Sequence, residues 1–180
     1  MPSQQGADEV RRFVRRRYPA YAAVLPGDPS FICVPDDCGS RCCRTLTVPV
    51  GERDVLRIER RAGLSPETFL ECERGEPVAL PLRDPYVLAR RGPACTLLKR
   101  DGSCRIYDSR PAACRSYPFD AAVRSDDASE ELLPEGGTRR IRGPLVLLRH
   151  LECPGFIGEP LRGEAWETLL EKIGAARGLC

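Results

Sequence analysis

CTLLKRDGSCRIYDSRPAACRSYPF, residues 95–119, is the stretch on which the architecture turns. It holds three cysteines, Cys95, Cys104 and Cys114, separated by eight and nine residues. The runs CTLLK (95–99) and CRIY (104–107) alternate around Arg100-Asp101-Gly102-Ser103, and the Asp-Gly pair predicts a hairpin. Ser109-Arg110-Pro111 then opens a short helix that carries Cys114.

Upstream, four cysteines crowd into eleven residues as Cys33-x4-Cys38-x3-Cys42-Cys43. They lie in a loop-like stretch, 25–44, with Pro26, Gly27, Pro29, Pro35 and Gly39. Short Gly- and Pro-containing loops let neighbouring thiolates converge without a regular backbone opposing them. Downstream, Cys153 sits in a Cys-Pro-Gly turn. Thiolates are soft, charged donors that hold Zn²⁺ or iron–sulfur clusters strongly. Successive side chains usually diverge, so Cys42 and Cys43 are expected to do different jobs. Cys72 and Cys180 stand apart and read as small buried hydrophobes.

Four thiolates on one Zn²⁺ leave a formal −2, which is costly to bury unpaired. Arg41, Arg44, Arg105 and Arg115 each adjoin a cysteine, and Arg110 is close by. These are weak signals, because only Lys99 and Lys172 of the 28 basic residues are not arginine. Tyr107, Arg110, Arg115 and Tyr117 surround Cys114. They read either as groups that orient ligands or bind an anionic group, or as a helix cap and core tyrosines.

The chain has 180 residues, ten of them Cys and one His, with a net charge of +2. That balance excludes a strongly cationic nucleic-acid binder. No stretch approaches the ~20 apolar residues that span a bilayer, and the N-terminus lacks the apolar core of a secretory signal. A cytoplasmic location is expected. Thiols stay reduced there, so the cysteines read as metal ligands or redox groups before disulfides. A CxxC redox motif is absent. His150 alone cannot build a Cys₂His₂ site, and no nucleophile elbow accompanies it, which disfavours a hydrolase. It can serve as ligand or proton carrier three residues before Cys153, with packing the plainer role. The arginine run over 11–17 reads as a solvated helix face before a phosphate-binding one.

Elsewhere the pattern predicts a helix over 7–18 with Val10, Phe13 and Val14 as its apolar stripe, stopped by Pro19. A short strand is expected over Leu46–Val50. A helix over Glu52–Arg61, with Val55, Leu56 and Ile58 inward, ends at Gly63, and another starts at Ser65-Pro66. Residues 73–93 read as irregular, 124–138 as a polar, acidic loop, and 139–151 as containing a strand. Gly136-Gly137 lacks the context of a nucleotide site. A helix over 163–177 places Trp166, Leu169, Leu170 and Ile173 on one side. The expectation is one α+β domain with little regular sheet: an N-terminal helix (1–24), a cysteine-cluster region (25–160) and a C-terminal helix (161–180) packed on it.

The order of these residues resembles the YkgJ-type cysteine-cluster proteins, the zinc- or iron-chelating CxxCxxCC domain family. FICVPDDCGSRCCR (31–44), the 95–119 segment and ECPGF (152–156) carry the resemblance, and LSPETFL (64–70) matches the helix after the first cluster. The family's first motif has gaps of two and two; here they are four and three. The resemblance implies metal chelation, with Cys33, Cys38, Cys42, Cys43, Cys95, Cys104, Cys114 and Cys153 as the ligand pool, and Arg110, Arg115 and Tyr117 beside the cofactor. Eight thiols allow two four-coordinate sites, or one site plus free thiols. The related flagellin lysine N-methylase family shares this cysteine region and is associated with an iron–sulfur cluster and methyl transfer. The methylase activity does not transfer, since no cofactor-binding segment accompanies it here. The expected centre is an iron–sulfur cluster or a Zn/Fe ion supporting redox or protein-modifying chemistry. The rival is a structural zinc module without catalysis. The expected partner is a protein or small molecule; nucleic acid is disfavoured, and no membrane partner is expected.

Overall fold

The computed structural model describes residues 4–124 and 143–179. The loop expected over 124–138 lies, apart from Arg124, outside the described residues, as does Cys180. In chain order the elements begin with α1 (Gln4–Arg17), β1 (Tyr21–Ala23), α2 (Pro35–Cys38), α3 (Arg41–Thr45), β2 (Pro49–Val50), α4 (Glu52–Ala62) and α5 (Pro66–Phe69). There follow β3 (Cys72–Glu73), β4 (Glu76–Pro77), β5 (Tyr86–Val87), β6 (Arg90–Arg91), β7 (Ala94–Cys95), a 3-10 turn (Tyr107–Ser109) and α6 (Ala112–Ser116). The last are β8 (Phe119–Val123), β9 (Leu145–His150) and α7 (Glu164–Ala176). Short helices, short antiparallel pairs and much loop make this an α+β structure, as the sequence predicts. Contacts divide it into two compact units, one of residues 1–32 with 118–180, the other of residues 33–117.

The first unit is built on an antiparallel sheet of order β1-β9-β8. Tyr21 pairs with His150 on one side of β9, and Val123 with Leu145 on the other. Because side chains alternate along β9, its two faces bury different partners. Val146 and Leu148 pack with Val14 of α1, Ala23 and Ala122. Leu147 packs on the opposite side with Val24, Ala121 and Ile173 of α7, flanked by Trp166, Leu169 and Leu170. Each such buried aliphatic contributes about 1.5–3 kcal/mol. The Trp166 indole N–H donates to the Val24 carbonyl at 3.0 Å, so the ring's polar edge is satisfied.

The second unit has almost no regular sheet. Its pairs β2-β5, β3-β4 and β6-β7 are each two residues per strand. Their ends surround a core of Val50, Val55, Ile58, Phe69, Leu70, Leu88, Leu97 and Ile106. Helix α4 supplies Val55 and Ile58 and stops at Gly63, whose φ of 61° suits a residue without Cβ. Three expectations change here. Leu56 is 50% exposed rather than inward, because the helical period carries it away from Val55 and Ile58. The strand expected from Leu46 shrinks to Pro49–Val50, since the Leu46 N–H is used to close α3 on the Cys42 carbonyl (3.1 Å). The hairpin expected around Asp101-Gly102 is present but short, with one antiparallel bridge, Leu98 to Cys104. Two cross-strand bonds hold it, Lys99 N–H to the Ser103 carbonyl and Arg105 N–H to the Leu97 carbonyl (both 2.9 Å), while Asp101 takes the Ser103 N–H (2.9 Å) within the turn and Leu98 N–H bonds back to the Cys95 carbonyl (3.0 Å), which keeps the first arm short.

Candidate metal centre

Within residues 33–117, five thiols from four local pieces of structure influence one another's ionisation: Cys42 and Cys43 of α3, Cys95 of β7, Cys104 after the Asp-Gly turn, and Cys114 of α6. All five are half-buried. Cys95, Cys104 and Cys114 back onto the Val50–Leu97–Ile106 core.

Each thiol is held by identifiable contacts. The turn before Cys104 is tied to the first cysteine segment by Ser40, whose buried hydroxyl donates to the Gly102 carbonyl at 2.6 Å. Ser40 takes a left-handed φ of 54°, the strained junction between α2 and α3 that starts the helix carrying Cys42 and Cys43. Arg90 fastens that helix to the hairpin carrying Cys95. Its guanidinium donates to the carbonyls of Leu46 (2.6 Å), Arg44 (2.5 Å) and Pro93. Cys114 is set by a brace from α4. Asp54, buried and paired with Arg57, accepts the Ala112 N–H at 2.8 Å, and Arg57 donates to the Arg110 carbonyl at 2.7 Å. A carboxylate on a free N–H of the first turn of α6 satisfies a donor that the helix itself leaves open.

The electrostatics single out Cys42. The Cys43 thiol donates to its sulfur, lowering the Cys42 pKa from the ordinary 9.0 to about 6, with Arg110 contributing. The same hydrogen bond raises Cys43, and burial adds to it. Burial raises Cys95 and Cys104. It pushes Cys114 up to about 12, helped by the neighbouring Cys104, Cys95 and Cys42. Cys42 and Cys43 therefore do not diverge as expected; at the first positions of a five-residue helix their sulfurs meet.

The other predicted residues are placed as follows. Cys38 closes α2, its Sγ 3.8 Å from the Pro35 carbonyl, and Cys33 is exposed. Cys153 belongs to the first unit, where its N–H meets the His150 carbonyl at 3.3 Å. His150 packs edge-on to Tyr21 and its Nδ1 accepts the Glu152 N–H (3.3 Å). Arg110 lies on the sulfur cluster, its guanidinium 4.0 Å from the centre of the Tyr107 ring. Tyr107 is 54% exposed, not a core residue. Arg115 donates to the Arg110 carbonyl at 3.1 Å, and half-buried Tyr117 closes α6. Arg44 serves the Gly39 carbonyl (2.9 Å) instead of a sulfur. Cys72, expected to be buried, is exposed: it stands on a two-residue strand pair outside the second unit's core, its Sγ 3.4 Å from the Leu70 carbonyl. Arg90, Ser40 and the Asp54–Arg57 brace were not legible as site residues. Only the i,i+3 spacing of Asp54 and Arg57 gave a signal, and that spacing is common on helices.

A family model described as "Putative zinc- or iron-chelating domain" matches residues 33–133, more than half of the chain. The chain belongs to the CxxCxxCC family. No curated protein and no solved structure matches it. The CxxCxxCC match takes in the five clustered thiols with Cys33 and Cys38, and stops short of Cys153. No metal is part of the structure, so the fit rests on donor chemistry. Sulfur donors gathered beside a guanidinium suit a thiophilic ion such as zinc or iron. Among the described residues, no group of three or more His, Cys, Asp or Glu is already arranged to hold one. Four of the five thiols are kept protonated, Cys43 first by its bond to Cys42 and Cys95, Cys104 and Cys114 by burial, and binding would require those that ligate to ionise and draw together.

Proposed function

We propose that this CxxCxxCC domain holds a single thiolate metal centre, a zinc or iron ion or an iron–sulfur cluster, with Cys42, Cys95, Cys104 and Cys114 as ligands. The choice is supported by packing: Cys95, Cys104 and Cys114 all back onto one core, with Cys42, the thiol that Cys43 donates to, beside them. Cys43 then acts as the donor that keeps Cys42 ionised, and Arg110 offsets the negative charge of the sulfurs. Zinc there would stabilise the fold, whereas iron or a cluster would supply electron transfer.

The structural-zinc reading draws support from the packing of Cys95, Cys104 and Cys114 onto the core, where ligation and folding would be one process. The redox reading draws support from the family description, which includes iron. Elemental analysis of protein purified without oxygen decides between them. Zinc in a colourless protein supports the structural role. Iron with acid-labile sulfide and broad visible absorbance supports the redox role. Protein that retains neither metal, from medium supplied with both, contradicts the proposal.

A further inference from the structure

Helix α4 turns a basic face to solvent. Asp54, Val55 and Ile58 point inward, and the helical period carries Arg53, Leu56, Arg57, Arg60 and Arg61 away from them. Glu52 and Glu59, two turns apart, fall together on the flank beyond Leu56. The arginines therefore form a stripe separated from the exposed acids of their own helix. Arg53, Arg60 and Arg61 are exposed and make no ion pair among the described residues. Arg57 is committed to Asp54 and to the Arg110 carbonyl (2.7 Å), on which Arg115 of α6 also donates (3.1 Å). Two guanidiniums thus meet at one oxygen, and Arg115 carries the positive charge beyond the helix. The stripe is not uniformly polar. Leu56, 50% exposed, stands in it, and together with Arg53, Arg57, Arg60 and Arg61 it lines a recess of ≈ 320 Å³. Arginine stems are hydrocarbon, so this recess has apolar walls and a charged rim.

We propose that this face of α4 is a docking surface for an acidic protein segment, one that carries aliphatic side chains among its carboxylates. Charge complementarity sets the partner. A carboxylate offers a guanidinium two oxygens at once, and three arginines of the stripe have no carboxylate of their own. An aliphatic side chain enters the recess and covers Leu56, which a sugar-phosphate backbone would leave in water. The narrowness of the stripe argues the same way. Glu52 and Glu59 border it, so a broad polyanion, a nucleic-acid duplex or an anionic membrane, meets repulsion beside the attraction. A single segment lying along α4 avoids those acids. The 11 residues of the helix span ~16 Å, the length of a helical partner segment of about ten residues.

The test is fluorescence anisotropy of the full chain, at low ionic strength, with a labelled Glu-rich peptide of about ten residues that carries Leu at helical spacing. The controls are the same peptide with Ser in place of Leu, a DNA duplex and phosphatidylserine vesicles. Saturable binding of the Leu peptide, tighter than that of any control, is expected. Arg53→Glu combined with Arg60→Glu should weaken it by about tenfold or more. Leu56→Ser should remove the advantage of the Leu peptide over the Ser peptide. Arg12→Glu with Arg16→Glu, the same charge change at exposed positions of α1, should bind as wild type. Thermal melts establish that the variants fold, and Arg53→Gln with Arg60→Gln carries the test if the double reversal does not. Absence of saturable binding, an equal or tighter hold on any control, or undiminished binding by the folded Arg53 and Arg60 variants overturns the proposal.

Discussion

Asp54 and Arg57, one turn apart on α4, together hold the start of the helix that carries Cys114. Asp54 accepts from Ala112 N–H at 2.8 Å, and Arg57 donates to the Arg110 carbonyl at 2.7 Å. The pair is mostly buried, and Arg57 Nε has no partner of its own among the described residues. Truncating Asp54 would leave a partly buried guanidinium and an open helix N–H. Asp54→Ala is expected to destabilise the protein by about 2–3 kcal/mol and to lower metal affinity, with Asp54→Asn milder. Urea unfolding and competition with a zinc indicator read the two effects. Wild-type metal affinity in the Ala variant would show that the brace does not position Cys114.

Cys114→Ser should lose bound metal and lower the melting temperature of metal-supplied protein. Cys72→Ser, at an exposed thiol outside the cluster, should change stability by less than about 0.5 kcal/mol. Metal content and thermal melts of the two variants, measured side by side, check the contrast. Equal metal content in both would remove Cys114 from the ligand set.

Arg90 donates to three carbonyls, on Leu46, Arg44 and Pro93. A lysine can reach only part of that fan. Arg90→Lys is expected to cost about 1–2 kcal/mol and to raise proteolytic sensitivity between α3 and β6. Limited proteolysis with mass mapping reads it, and an unchanged cleavage pattern would mean the α3–hairpin junction is held by other contacts.

The thiol pKa values give the metal-free protein a defined pH response. Cys95, Cys104 and Cys114 titrate above the ordinary 9.0 when folded, Cys114 at about 12. Their contribution is therefore complete below pH 9.0 and lost as the pH rises through the folded values, up to about 12. Cys42 has the opposite sign. Its contribution is present above 9.0 and lost as the pH falls toward about 6. Metal-free protein should melt progressively lower from pH 9 to 12, and Cys114→Ala should flatten that limb. Metal binding should release protons at neutral pH, seen as buffer-dependent heats in calorimetry. A melting temperature that stays level across that alkaline range would contradict the thiol environments described.

Much of the fold was legible where a pattern stays local. The apolar period over 163–177 placed α7, Pro19 stopped α1, and Gly63 stopped α4. The 95–119 string marked the three thiols that gather with Cys42 and Cys43. What stayed hidden depends on distant partners. The Asp101-Gly102 turn does close a hairpin, but its length was not legible: the first arm turns at Cys95–Leu98, so the pairing stops at Leu97 and Arg105. Arg90 looks like any other arginine in an arginine-rich chain until the fold sets three carbonyls around its head.

The most direct test of the central claim is X-ray absorption at the zinc and iron edges on anaerobically purified protein. A first shell of about four sulfurs, near 2.3 Å for zinc, that loses a sulfur in Cys42→Ser and in Cys104→Ser, is the predicted result. A shell of oxygen and nitrogen, or one unchanged by both substitutions, would contradict the account.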